Sequence, residues 1–188
     1  PEEGRPAVEL VFCKLHAGGK FNKTESGNAY RFSGGLHGVG VSVTNALSIR
    51  LEVEIKRGGG VHHIAFGAGF VTEPLSRIGD CGQRNTGTTV RIQPDPKYFD
   101  SPKVNLAQLE HLLRSKAVLM PNVTVELDIE GQEKKVWCYQ NGMADYLNEM
   151  MVGTPVAPIF VGEKHVDSAN GFAVGEGATW ALAWFEEG

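Results

Sequence analysis

The chain has 188 residues, of which 41% are hydrophobic and 21% are charged, and its formal net charge is −4. This composition is typical of a water-soluble globular protein, and the negative charge excludes a general attraction to nucleic acid or anionic membranes. No apolar run reaches the ~18 residues that a membrane helix needs, so we expect no membrane association. The three cysteines are far apart and lack C-x-x-C spacing, which favours a reducing, cytoplasmic compartment. Pro1 is not preceded by Met, so we expect a fragment.

The first elements predicted along the chain are two helices separated by a polar loop. Pro6 favours a helix start, and an apolar stripe follows it until residues 16–19 end the helix. Residues 20–32 are polar and predict a flexible loop. A glycine-rich segment then leads into a helix over 41–48, with the apolar face predicted to carry Val39, Val43, Ala46 and Leu47.

Strands are predicted next, because apolar and charged residues alternate over 50–56 and glycines 58–60 then favour a turn. Further strands are predicted over 61–66, 70–73, 88–93, 123–129 and 136–139, and finally 180–185. Asn105 and Gln108 predict a helix start, a short helix is expected over 143–151, and residues 152–177 are typical of a linker. Hairpins mixed with helices predict an α+β layer with helices on one face of the sheet.

The segment Ser33–Gly40 has four glycines within seven residues and spacing G-x-x-G-x-G. This pattern is neither the Rossmann nor the P-loop motif, and the P-loop lysine is missing. A flexible loop directly before a helix presents backbone N–H groups and a partial positive charge, which together favour phosphate. The simpler alternative is that the glycines form only a structural turn.

Other candidate residues have equally simple explanations. His37 is a conceivable general base, but a contribution through its backbone N–H is the more economical interpretation. Lys20 is within reach of a phosphate or is simply solvated. His62 and His63 suggest a metal site, yet adjacent strand residues point to opposite faces, which argues against a shared ion. No G-x-S-x-G elbow supports a serine triad.

Several motifs in the correct order resemble the ATPase subunits of bacterial type IIA topoisomerases. They are His16–Phe21, Ser33–Ser48 and Thr86–Arg91. Trp137–Gly142 and Arg84–Thr88 resemble the topoisomerase IV branch of that family more than the gyrase branch. The resemblance runs over essentially the whole chain. It implies a GHKL ATP-binding fold, a two-layer sandwich of helices on one face of a mixed sheet.

The resemblance also implies the residues of an ATP site. Residues 17–40 resemble the ATP lid, with Lys20 and Tyr30 near phosphates and ribose. The amides implied to surround the triphosphate are those of Gly35, Leu36, His37, Gly38, Val39 and Gly40. Thr88 matches the threonine that helps hold the adenine edge, and Arg57 matches the arginine at the pocket mouth on which coumarin-type inhibitors pack. We therefore expect a GHKL domain over 1–165, followed by a linker and the first transducer strand over 166–188.

The family's catalytic glutamate, its magnesium-binding asparagine and its adenine-reading aspartate match no residue of this chain. The resemblance thus implies ATP and Mg²⁺ as cofactors, while the chain alone is expected to be inactive and monomeric. For the whole protein it implies ATP-gated homodimerisation, DNA as substrate, and a heterotetramer with the DNA-cleaving A subunit. Alternatives are the B subunit of gyrase, another GHKL ATPase such as a chaperone or mismatch-repair protein, and a non-enzymatic binding module.

Overall fold

The computed structural model describes residues 4–17, 37–101, 103–165 and 177–186. The chain divides into two compact units, residues 1–102 and 103–188. No helix in the described ranges is long and apolar enough to cross a bilayer.

The first unit is built on a four-stranded antiparallel sheet with strand order β3-β2-β1-β4. Its strands are β1 (Ser48–Arg57), β2 (Gly60–Gly67), β3 (Phe70–Asp80) and β4 (Gly87–Pro94). Gly58 and Gly59 form the two-residue turn between β1 and β2, with φ of 58° and 79°. Positive φ at both central positions is the geometry that matches the twist of a hairpin, which explains the glycines. Pro74 is accommodated in β3 because that strand lies at the edge of the sheet.

Helix α1 (Ala7–Cys13) packs on one face of this sheet. The buried core comprises Leu51, Val53, Ile64 and Phe66, each at most 1% exposed. Phe12 of α1 stacks on Phe66, with ring centroids 5.3 Å apart and an interplanar angle of 15°. The period-2 alternation of β1 therefore places its apolar side chains under α1, as the sequence predicts.

Helix α2 (Gly40–Ala46) buries a face different from the predicted one. Ser42 and Asn45 of α2 are buried, as is Ser48 at the start of β1, whereas Val43 and Ala46 are exposed. The buried hydroxyls bond to backbone carbonyls of the preceding turn, Ser42 to Val39 and Ser48 to Thr44. Short polar side chains that satisfy themselves locally allow close helix packing, and apolar periodicity does not detect that arrangement.

The second unit contains α3 (Leu106–Leu119), α4 (Met143–Met150) and two antiparallel pairs of strands. The pairs join β5 (Val125–Leu127) to β6 (Lys135–Trp137) and β7 (Phe160–His165) to β8 (Gly177–Leu182). The side chain of Asn105 accepts a hydrogen bond from the Gln108 N–H, which confirms the predicted cap of α3. A buried cluster of Ala117, Val118 and Tyr139 forms the core of the second unit.

The expectation of a linker over 152–177 is wrong for Phe160–His165, which is strand β7. Its partner β8 is distant in the sequence, and Trp180 of β8 lies over Gly162 of β7. Gly162 has no side chain, so β7 lacks the apolar alternation that would have predicted a strand. The predicted division into domains after residue 165, the last residue of β7, stays a prediction.

Candidate functional site

The turn His37–Gly40 leads directly into α2 and is the described part of the predicted phosphate loop. Gly38 has φ of 62°, a backbone conformation that favours glycine. Val39 is the N-cap of α2, and its carbonyl accepts hydrogen bonds from Val43 N and Ser42 Oγ at 2.9 and 3.0 Å. The first amides of a helix have no acceptor within that helix, so this turn is suited to an anion. The other predicted loop residues, Lys20, Tyr30, Gly35 and Leu36, lie outside the described residues.

Two side chains connect the end of α1 with this turn and with α2. His16 Nδ1 lies 2.6 Å from the carbonyl oxygen of His37, 21 residues further along the chain. The fully buried Asn45 donates from Nδ2 to the carbonyl oxygen of Phe12 at 3.0 Å. Sequence patterns assigned no role to His16 or Asn45. Contacts between residues 21 and 33 positions apart leave no periodic pattern in the sequence. The one signal for His16 was therefore its place in the His16–Phe21 motif.

Thr88 and Arg57 are brought to the same face of the sheet. Thr88 of β4 pairs with Ile55 of β1, and Arg57 lies two residues beyond Ile55 on the same strand. Directly opposite residues, and residues two apart, share a face, so both side chains lie on the face that carries α1. No hydrogen bond among the described residues joins them to His37–Gly40. The structure thus presents the predicted site as two separate groups of residues.

The hairpin end of β1 carries further basic side chains. A Cβ atom on Gly60, which pairs with Arg57, would lie 2.9 Å from His62 Nε2 and 3.2 Å from Arg77 Nε. The imidazole and the guanidinium therefore both lie over Gly60, next to Arg57. Arg77 is partly neutralised because Nη2 also bonds to Asp80 Oδ1.

The register separates the two adjacent histidines, as the alternation of strand residues predicts. His62 pairs with Ile55, whereas His63 pairs with Glu54 and lies 3.8 Å from a carboxylate oxygen of Glu73. Since successive residues of a strand face opposite sides, His62 and His63 cannot ligate one ion together. His62 instead belongs to the group around Arg57.

Comparison with known proteins gives consistent relatives, although no family model matches the chain. The B subunit of DNA topoisomerase 4 from Salmonella typhimurium is 49% identical over 100% of this chain, and the same-named protein of Escherichia coli is 48% identical. The B subunit of DNA gyrase from Thermotoga maritima is more distant, at 43% identity over 81% of the chain. The chain spans 29% of the length of the first two relatives.

Two solved structures are similar to the chain. The topoisomerase IV ATP-binding domain of Francisella tularensis, in complex with a small-molecule inhibitor, has a TM-score of 0.65 and 38% identity, covering 87% of this chain and 44% of that one. The 43K ATPase domain of Thermus thermophilus gyrase B, in complex with an aminocoumarin, has a TM-score of 0.71 and 30% identity, covering 89% and 41%. These neighbours confirm the predicted α+β fold of the GHKL type.

Proposed function

Since this chain belongs to the family of ATPase subunits of bacterial type IIA topoisomerases, we propose that it is the nucleotide-binding part of such a protein. In the intact protein, ATP binding would close a homodimeric gate, and that closure would drive passage of one DNA segment through another. DNA cleavage would belong to the partner A subunit. The greater identity to topoisomerase IV relatives favours that branch, with gyrase as the alternative.

The observation that carries the proposal is the turn before α2, in a chain that matches ATPase domains along most of its length. The backbone N–H groups of His37, Gly38, Val39 and Gly40 would hold the phosphates. Gly38 suits this role because its positive φ lets the turn curve around a ligand without a steric penalty. An anion there gains charge-assisted hydrogen bonds, which are stronger than neutral ones.

Thr88 and Arg57 would hold the other end of the ligand. A hydroxyl on the helix-bearing face of the sheet donates and accepts hydrogen bonds, so Thr88 is suited to a base edge. Arg57 is exposed at the strand end, where its planar guanidinium is able to stack on a flat ring. This position supports a role for Arg57 at the pocket mouth toward aminocoumarin-type ligands.

The described residues do not supply a matching set of magnesium ligands. No group of three or more His, Cys, Asp or Glu side chains in those ranges is arranged to hold a metal ion. The described side chains and amides bind and orient the nucleotide, and we expect this chain alone to have no measurable ATPase activity.

Calorimetric titration with a non-hydrolysable ATP analogue and Mg²⁺ tests the site. In the intact protein, we expect Gly38→Ala to weaken binding at least tenfold, because it strains the turn and crowds the ligand. Gly153→Ala is the matched control, since Gly153 also has positive φ, 99°, with no atom near its missing Cβ. Failure of the wild type to bind the analogue, or an equal effect of both substitutions, would refute the site.

DNA assays with the DNA-cleaving partner present test the whole-protein function. Decatenation that needs ATP, without introduction of negative supercoils, would support the topoisomerase IV assignment. ATP-dependent negative supercoiling would favour gyrase instead. ATPase activity with no strand passage in the presence of the partner would favour a different GHKL ATPase.

A further inference from the structure

His16 has two unusual features at the end of α1. Its φ is 61°, a conformation uncommon for a residue with a Cβ. Its Nδ1 lies 2.6 Å from the carbonyl oxygen of His37. Since a carbonyl oxygen only accepts, Nδ1 carries the hydrogen and donates it. The positive φ turns the chain after α1, and the contact then joins His16 to a residue 21 positions further along the chain.

This hydrogen bond controls the direction of a neighbouring N–H group. The peptide group is planar and trans, so the carbonyl of His37 and the N–H of Gly38 point in opposite directions. Holding the His37 oxygen toward His16 therefore directs the Gly38 N–H away from the His16 imidazole. A glycine has more freedom in φ than any other residue type. A restraint from a neighbouring side chain therefore has a large effect at Gly38.

Helix α1, which precedes His16, is anchored by two contacts near its end. Phe12 stacks on Phe66 in the core, and the Phe12 carbonyl accepts the hydrogen bond from the buried Asn45 amide. These contacts fix the last turn of α1 against both the sheet and α2. The imidazole therefore restrains the His37–Gly38 peptide from a residue only three positions beyond this anchored helix.

We propose that His16 is a positioning residue whose imidazole orients the Gly38 N–H for a phosphate group of the bound nucleotide. The proposal rests on the proposed function, because it assumes that Gly38 contacts phosphate. His16 itself does not contact the nucleotide. Its effect is to reduce the freedom that the turn loses when the ligand binds.

Three variants of the intact protein separate the hydrogen bond from the positive φ at position 16. His16→Asn retains an N–H donor near the position of Nδ1 and tolerates positive φ. His16→Gly also tolerates positive φ but has no donor. Leu15→Ala is the control, because Leu15 is the adjacent residue and is 56% exposed. Because His16 is itself exposed, we expect all three variants to fold.

The readouts are affinities for two probes, a non-hydrolysable ATP analogue with Mg²⁺ and an aminocoumarin, which carries no triphosphate. We expect His16→Gly to bind the ATP analogue about fivefold more weakly, the effect of one hydrogen bond of ordinary net strength. His16→Asn and Leu15→Ala should remain within twofold of the wild type. Aminocoumarin affinity should remain unchanged in all three, because that ligand has no triphosphate for the Gly38 amide to bind.

Equal affinity of wild type and His16→Gly for the ATP analogue would overturn the proposal. It would also be overturned if His16→Asn failed to restore binding, or if His16→Gly weakened both probes alike, which indicates a general structural role. Failure of the wild type to bind the analogue would instead refute the proposed function. The two failures are therefore distinguishable.

Discussion

Replacing Asn45 by aspartate tests the contact that joins α1 to α2. Asn45 is fully buried, and its Nδ2 donates to the Phe12 carbonyl at 3.0 Å. Asn45→Asp replaces that donor with an oxygen that faces another oxygen. Leaving a buried carbonyl without its partner costs about 1–3 kcal/mol, and burying an uncompensated charge costs about 3–5 kcal/mol. We expect a loss of about 3–5 kcal/mol at pH 7, a large part of the stability of a typical domain.

The loss should depend on pH with a defined sign. Burial disfavours the charged form, so the pKa of the new carboxyl should lie above its unfolded value of about 3.9. The penalty is therefore absent below that unfolded value and develops as the pH rises through the higher folded pKa. When protonated, the carboxyl group donates an O–H to the Phe12 carbonyl and replaces the lost hydrogen bond.

Asn45→Ala gives a second point of comparison. The Oδ1 atom of Asn45 has no hydrogen-bond partner among the described residues. Removing the whole amide therefore loses one hydrogen bond but also relieves one unsatisfied oxygen. We expect Asn45→Ala to cost about 1–2 kcal/mol, less than the aspartate variant at pH 7, and to show no comparable pH dependence.

The assay is urea-induced unfolding between pH 4 and pH 8, combined with amide hydrogen exchange of β1 and β2, which report on the first unit. Asn85→Asp is the control, because it makes the same charge change at an exposed position. The reasoning would be refuted if the two aspartate variants lost equal stability at pH 7. Absence of recovery of the Asn45→Asp variant at acid pH would refute it as well.

Two further predictions concern the second unit. The Tyr139 hydroxyl donates to Glu149 at 2.7 Å, and this bond is the main cause that lowers the pKa of the Glu149 carboxyl. The stabilisation from Glu149 is thus present above the unfolded glutamate pKa and is lost as the pH falls through the lower folded value. Tyr139→Phe removes this hydrogen bond, so its free energy of unfolding, measured with urea, should fall less at acid pH than that of the wild type. An unchanged pH profile would contradict this. Gly142→Ala should cost about 1–3 kcal/mol, because φ is 55° and the new Cβ would lie 3.1 Å from the Val118 carbonyl oxygen. Gly131→Ala, with φ of 77° and no atom within 4 Å, should cost less by thermal unfolding, and equal costs would count against the steric argument.

Local patterns were sufficient to predict most of the elements. The alternation over 50–56 predicted β1, and the glycines that follow predicted its hairpin turn, because both signals depend on neighbouring residues. The cap of α3 was predicted for the same reason, since Asn105 and Gln108 are three residues apart. The family was identified from several short motifs in a fixed order, and the relatives confirm it.

Where the prediction was wrong, the missing information was non-local. The buried face of α2 is set by close approach to α1, which favours Ser42 and Asn45 over larger apolar side chains. Strand β7 exists because β8 supplies its backbone partners and Trp180 covers Gly162. Neither condition can be read within a window of a few residues.

The candidate site shows the same division. The amino-acid order alone was enough to indicate a glycine turn before a helix, a threonine on one strand and an arginine at the end of another. Tertiary structure alone placed Thr88 and Arg57 on one face, through the antiparallel pairing of β1 with β4. It also brought the His16 imidazole to the His37 carbonyl across 21 residues. The period of apolar residues encodes which face a residue occupies within its own helix or strand. The pairing of distant segments depends instead on packing between residues far apart in the sequence, which forms only when the whole chain folds.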